Sequence, residues 1–190
     1  MDENGFWNFI SASREKAGNI QDAQCDALAT LLSALSIEEI ESFEAHFSGA
    51  MARSYRWELW AAAYLILGGC SDDCFSYFRY WLISMGREVF EAALANPDNL
   101  AGIAWLSDED ATFAEWQQQA KDPIPFSEFQ DFSYVAAQIW AKKTGKNFSE
   151  MPSSPILNAT YSQGPAGDSW DDTDTAYFIH TFPQLWTKFG

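Results

Sequence analysis

The chain has 190 residues, enough for a single domain that buries a substantial core. Apolar residues make up 47% and aromatics 16%, with Trp 9 and Phe 15, which excludes general disorder. Acidic residues outnumber basic ones 27 to 11, and the resulting net charge of -16 excludes nucleic-acid phosphates and anionic membranes as partners. A basic protein partner, a cation or simple solubility remain.

Helical signals dominate from the start. Phe6, Trp7, Phe9 and Ile10 form a short amphipathic beginning behind the possible caps Asp2 and Asn4. The N-terminus has no basic region followed by an apolar run, so no secretory signal is expected. A second helix runs from about Asp22, with Leu28, Leu31, Leu32 and Leu35 on its apolar side. Ser36 and Glu39 stand at capping-box spacing and open a third helix carrying Ile40, Phe43 and Phe47. The run from Trp57 reads as a mostly buried helix ended by Gly68-Gly69. Its apolar core, Leu59 to Leu67, is short of the roughly 20 residues that span a bilayer.

The next helix begins behind Ser71 and continues to about Met85, where Gly86 breaks it before Arg87. Asn96-Pro97-Asp98 is a turn, and a further helix has Pro125 near its start and Gly145 past its end. The organisation expected is an all-α, single compact helical domain over 1–145. A Pro/Gly/Ser-rich loop or linker over 146–169 follows, and then a C-terminal segment, 170–190, that packs on the same domain. Cys25, Cys70 and Cys74 are an odd number without a disulfide pattern, so a cytoplasmic protein with reduced thiols is expected.

The stretch from Leu67 to Glu91 concentrates chemistry-bearing residues. With Ser71 as N-cap, Asp72 and Asp73 fall in the first helical turn, where carboxylates complement the helix dipole. At 100° per residue, Phe75, Phe78, Leu82 and Met85 share a core face, while Asp72, Ser76, Arg79 and Ile83 share another. Two accounts fit. In the first, Gly-Gly ends one helix, Ser-Asp-Asp starts the next and Arg79 is a tether. In the second, a pocket is built from Gly69, Cys70, Ser71, Asp72, Asp73, Arg79 and Arg87, with Cys70 as a thiolate or the two aspartates as bases.

The second account lacks a partner for the nucleophile, because no pattern ties His46 or His180 to Cys70. Cys70-x3-Cys74 has no second pair to complete a zinc site, and the run Asp168, Asp171, Asp172, Asp174 lacks the calcium-loop register. No metal and no cofactor are expected. The chain also lacks a P-loop, a dinucleotide fingerprint, HExxH and GxSxG.

Four stretches carry a likeness to a known family. They are Phe6 to Arg14, the helix start at Ser36, Leu59 to Ala101, and the tail from Trp170 to Phe189. The third is the specific one. In these the chain resembles a bacterial family, domain of unknown function 4240. The resemblance implies an organisation that joins the N-terminal helices and the tail, and no mechanism. The function expected is an acidic protein-binding domain of immunity or regulatory type, without catalytic activity, that engages a basic protein; Trp170 and Trp186 are its candidate anchors. The alternative is an enzyme or small-molecule binder with its pocket at Gly69 to Asp73.

Overall fold

Several of the early helices start where a short polar side chain satisfies free backbone N–H groups. Asp2 accepts from Gly5 N at 2.8 Å and opens helix α1, Glu3–Ala17. Helix α2, Gln21–Ser33, follows. Ser36 and Glu39 form the expected capping box at the head of α3, Ile37–Arg53. Helix α4 spans Trp57–Leu67 and α5 spans Asp72–Ser84. Gly86, at φ 94, turns the chain into α6, Arg87–Ala95, and a 3-10 helix covers Pro97–Gly102. The remaining helices are α7 (Gln130–Thr144), a 3-10 turn (Phe148–Glu150), α8 (Pro155–Gln163), α9 (Thr175–Thr181) and α10 (Pro183–Phe189).

This computed structural model describes residues 1–18, 20–103, 130–152 and 155–190. Among them the protein is all-α, with ten α-helices and two 3-10 helices. The expectation that places Pro125 at a helix start lies outside the described residues.

The core forms where apolar faces of helical period meet. Phe75, Phe78, Leu82 and Ile83 of α5 are wholly buried against Ile40 and Phe43 of α3, Leu59 of α4 and Phe90 of α6, among others. Burying such a side chain contributes roughly 1.5–3 kcal/mol, so α5 is a principal contributor to stability. The core-stripe expectation holds for Phe75, Phe78, Leu82 and Met85. The second face is divided, with Asp72 exposed and Arg79 and Ile83 buried.

The C-terminal segment lies on this core. Phe178, Phe182 and Leu185 are buried in it. Asp98, itself buried, caps α10 by accepting from Gln184 N at 3.1 Å and Leu185 N at 2.9 Å. Trp170 donates its indole N–H to Trp57 O at 2.9 Å, and Ala166 N donates to Tyr55 O at 2.9 Å. The stretch 146–169 is less irregular than its composition suggests. It holds α8, because Pro155 stands at the first helical position, where a missing N–H costs nothing.

Candidate functional site

The α4–α5 corner is built from backbone requirements. Gly68 adopts the left-handed conformation (φ 64) and Gly69 has φ 130, both costly for residues with a Cβ. Gly69 N returns to Tyr64 O at 2.9 Å, and Trp60 donates its indole N–H to Cys70 O at 2.9 Å. Ser71 caps α5 by accepting from Cys74 N at 3.2 Å, which places Asp72 and Asp73 in the first turn, exposed to solvent. These bonds hold the Gly69 N–H, the Cys70 carbonyl and the Cys74 N–H within the chain.

About two turns into α5, Arg79 is only 1% exposed. Its NH1 donates to Met51 O at 3.0 Å, and its NH2 donates to Ser76 Oγ and Tyr161 OH, both at 3.1 Å. Nε reaches back to Phe75 O at 3.4 Å. The rings of Tyr55 and Phe75 lie 4.8 Å from the guanidinium carbon and that of Tyr161 lies 5.4 Å away. Among the described residues Arg79 forms no ion pair. A buried cation normally demands a counter-ion, because desolvation costs several kcal/mol. Here carbonyls, hydroxyls and aromatic faces offset that cost, and a planar, weakly hydrated guanidinium suits such a cage better than an ammonium.

Cys70 and Cys74 flank the cap, and the Cys70 thiol donates to Ser71 O at 3.6 Å. The neighbouring Cys70 thiol lowers Cys74 to about 7, against burial, and Cys74 in turn pushes Cys70 up, with burial adding to the rise. Cys74 lies in the first turn of α5, and Cys70 immediately before its cap. Cys25, on α2, is raised to about 12 by burial and by Asp131, Asp22 and Asp26.

Gly69, Cys70, Ser71, Asp72 and Asp73 lie at one corner, with Arg79 buried about two turns along α5. Arg87 stands apart. It begins α6, donates to Asn4 Oδ1 at 2.7 Å and pairs with Glu3 at 3.6 Å. It lines an open groove of about 630 Å³ with Trp7, His46, Arg53 and Glu91, and shares none of Arg79's partners. His46 faces Met1 O at 3.2 Å and does not serve a cysteine. Among the described residues no group of three or more His, Cys, Asp or Glu could hold a metal. None of their helices is long and apolar enough to cross a membrane.

Two contributors escape sequence reasoning. Tyr161, the hydroxyl partner of Arg79, comes from a stretch that reads as loop and carries no motif. Asp98 reads only as a turn residue. Trp170 is visible in the sequence, but its indole N–H is committed to Trp57 O, so it anchors the tail.

Neither the curated proteins nor the solved structures contain a significant match to the chain. A family model does match, ending within α7, so the likeness noted in the tail lies outside the match. With residues 1–142 covered, the chain belongs to the family described as "protein of unknown function (DUF4240)".

Proposed function

We propose that the chain is an acidic protein-binding domain of immunity or regulatory type, cytoplasmic and without catalytic activity, that engages a basic protein. The observation that carries this reading is an anionic face. Residues 57–78 contain Glu58, Asp72 and Asp73 and no lysine or arginine. Residues 147–187 contain Glu150, Asp168, Asp171, Asp172 and Asp174, again without a lysine or arginine.

The two stretches pack together. Trp57 N donates to Ala166 O at 3.0 Å, and Tyr64 OH meets Asp172 at 3.5 Å. Burial raises the Tyr177 phenol, and the nearby charges of Glu58 and Asp168 raise it further. Arg56 turns its NH1 toward Leu94 O, 2.9 Å away, in place of a carboxylate. Such a one-signed surface accelerates encounter with a basic partner and repels phosphates. Exposed Ile179 on α9 and Tyr161 on α8 supply apolar contacts beside it.

The experiment is affinity capture from the native host with the wild-type chain and with a variant carrying Asn at 168, 171, 172 and 174. A basic protein retained by the wild type, released by salt and lost with the variant supports the reading. Equal retention by both, or capture of acidic proteins alone, refutes it.

A further inference from the structure

We propose that the groove between α1, α3 and α6 binds a free α-amino acid, its carboxylate between Arg53 and Arg87 and its ammonium beside Glu91. The argument starts from one carboxylate oxygen. Glu3 Oε1 lies 3.6 Å from Arg87, 3.8 Å from Arg53 and 3.4 Å from the Trp7 indole nitrogen. Charge-assisted N–H···O bonds close to about 2.7–2.9 Å, so three donors converge on a point that a tethered side chain fills only loosely. Arg87 is aimed there by its other terminal nitrogen, which donates to Asn4 Oδ1 at 2.7 Å. An untethered carboxylate can come within bonding distance of both guanidiniums and displace Glu3. The exchange costs little, because the side chains of Glu3, Arg53 and Arg87 are 49%, 47% and 45% exposed, and exposed ion pairs add little to stability.

The class of ligand follows from the charges around that point. The groove, about 630 Å³, sets Arg53 and Arg87 against Glu3 and Glu91. A dicarboxylate or a phosphate would meet both glutamates in a chain of net charge -16, and a polyamine would meet both arginines. A zwitterion satisfies both signs. Arg53 donates to Glu91 Oε2 at 2.6 Å, so the positive and negative partners are adjacent. The ligand's own charges must then be adjacent, as they are on the single α-carbon of an amino acid. Its side chain extends over α3, where Ala45, Gly49 and Ala50 line the groove. A Cβ on Gly49 would meet no atom within 4 Å, so the space there is open.

The groove shares no residue with the anionic face, so failure here and failure of the protein-binding reading are distinguishable. The purified full chain is screened by thermal shift against each common L-amino acid at millimolar concentration, and hits are titrated by calorimetry. The expected result is a one-site isotherm for at least one free amino acid. Its N-acetyl and carboxamide derivatives should each bind about tenfold more weakly or worse, since each removes one charge. Arg87→Gln and Glu91→Gln should weaken binding comparably while their circular dichroism matches the wild type. The comparison of derivatives uses the wild-type chain and holds whether or not either variant folds. A screen in which no amino acid shifts the melting temperature would overturn the proposal. So would full affinity for the N-acetyl derivative, which marks a simple anion site, or full affinity in both variants, which places binding elsewhere.

Discussion

The surroundings of Arg79 and the surface formed by α4 and the tail treat charge in opposite ways. In the first, a single cation is enclosed by Tyr55, Phe75 and Tyr161, and polar oxygens offset its desolvation. In the second, carboxylates accumulate in water with no cation from the same stretches of chain. A charge deep in a fold constrains geometry, since moving it breaks several bonds at once. A charge in solvent constrains little and acts at a distance. The difference therefore divides the chemistry of the 67–91 stretch, with Arg79 belonging to the architecture and Asp72 and Asp73 to the solvent-exposed surface.

The largest test of this division lies in the architecture. Phe78→Ala should cost roughly 3–5 kcal/mol and Leu82→Ala roughly 2–5 in chemical denaturation, because both are wholly buried on α5. Wild-type stability in either would displace α5 from the centre. Arg79→Met should cost about 3 kcal/mol, as Met51 O, Ser76 and Tyr161 lose their donors. Arg79→Lys should recover little of that, since an ammonium cannot reproduce the planar fork. Full rescue by lysine would mean that charge alone matters there.

A pH test sharpens the same contrast. Burial lifts the Glu44 carboxyl from 4.5 to about 7, against the lowering hydrogen bond from Ser48. The folded state therefore holds a proton that the unfolded chain releases near 4.5. The favourable contribution is complete below that value and is lost as pH rises toward 7, by at most about 3 kcal/mol. Subtracting the unfolding profile of Glu44→Gln from the wild-type profile should isolate that decline. A flat difference between the two would place Glu44 in water.

At the smaller end, Ser71→Ala should cost about 1 kcal/mol through loss of the cap. Changing Asp168, Asp171, Asp172 and Asp174 to Asn should move stability little, within about 0.5 kcal/mol at each exposed site away from a cap. Asp174 caps α9, so its replacement costs somewhat more than the other three.

What the sequence makes legible follows from range. The capping box at Ser36, the cap at Ser71 and the glycine stop at Gly68 are local patterns, and the structure bears them out. The core stripe of α5 is legible because helical period alone determines it. Arg79 is visible as a residue, but its partner Tyr161 lies 82 positions away in a stretch whose prolines and serines suggest a loop. Asp98 meets Gln184 across 86 positions. No spacing rule connects residues that tertiary packing alone brings together. The Cys70–Cys74 spacing is likewise visible, whereas the contact of the Cys70 thiol with Ser71 O depends on the fold of the cap.

The division between caged cation and anionic surface is tested most directly by association kinetics with the captured basic partner. On-rates are measured over a salt series for the wild type and for the chain with Asn at 168, 171, 172 and 174. The account predicts a wild-type on-rate that falls by tenfold or more as screening shortens the reach of the field to about 8 Å at physiological ionic strength. The variant should start slower and respond less to salt, with its fold intact. A wild-type on-rate indifferent to salt, or one the four substitutions leave unchanged, would contradict it.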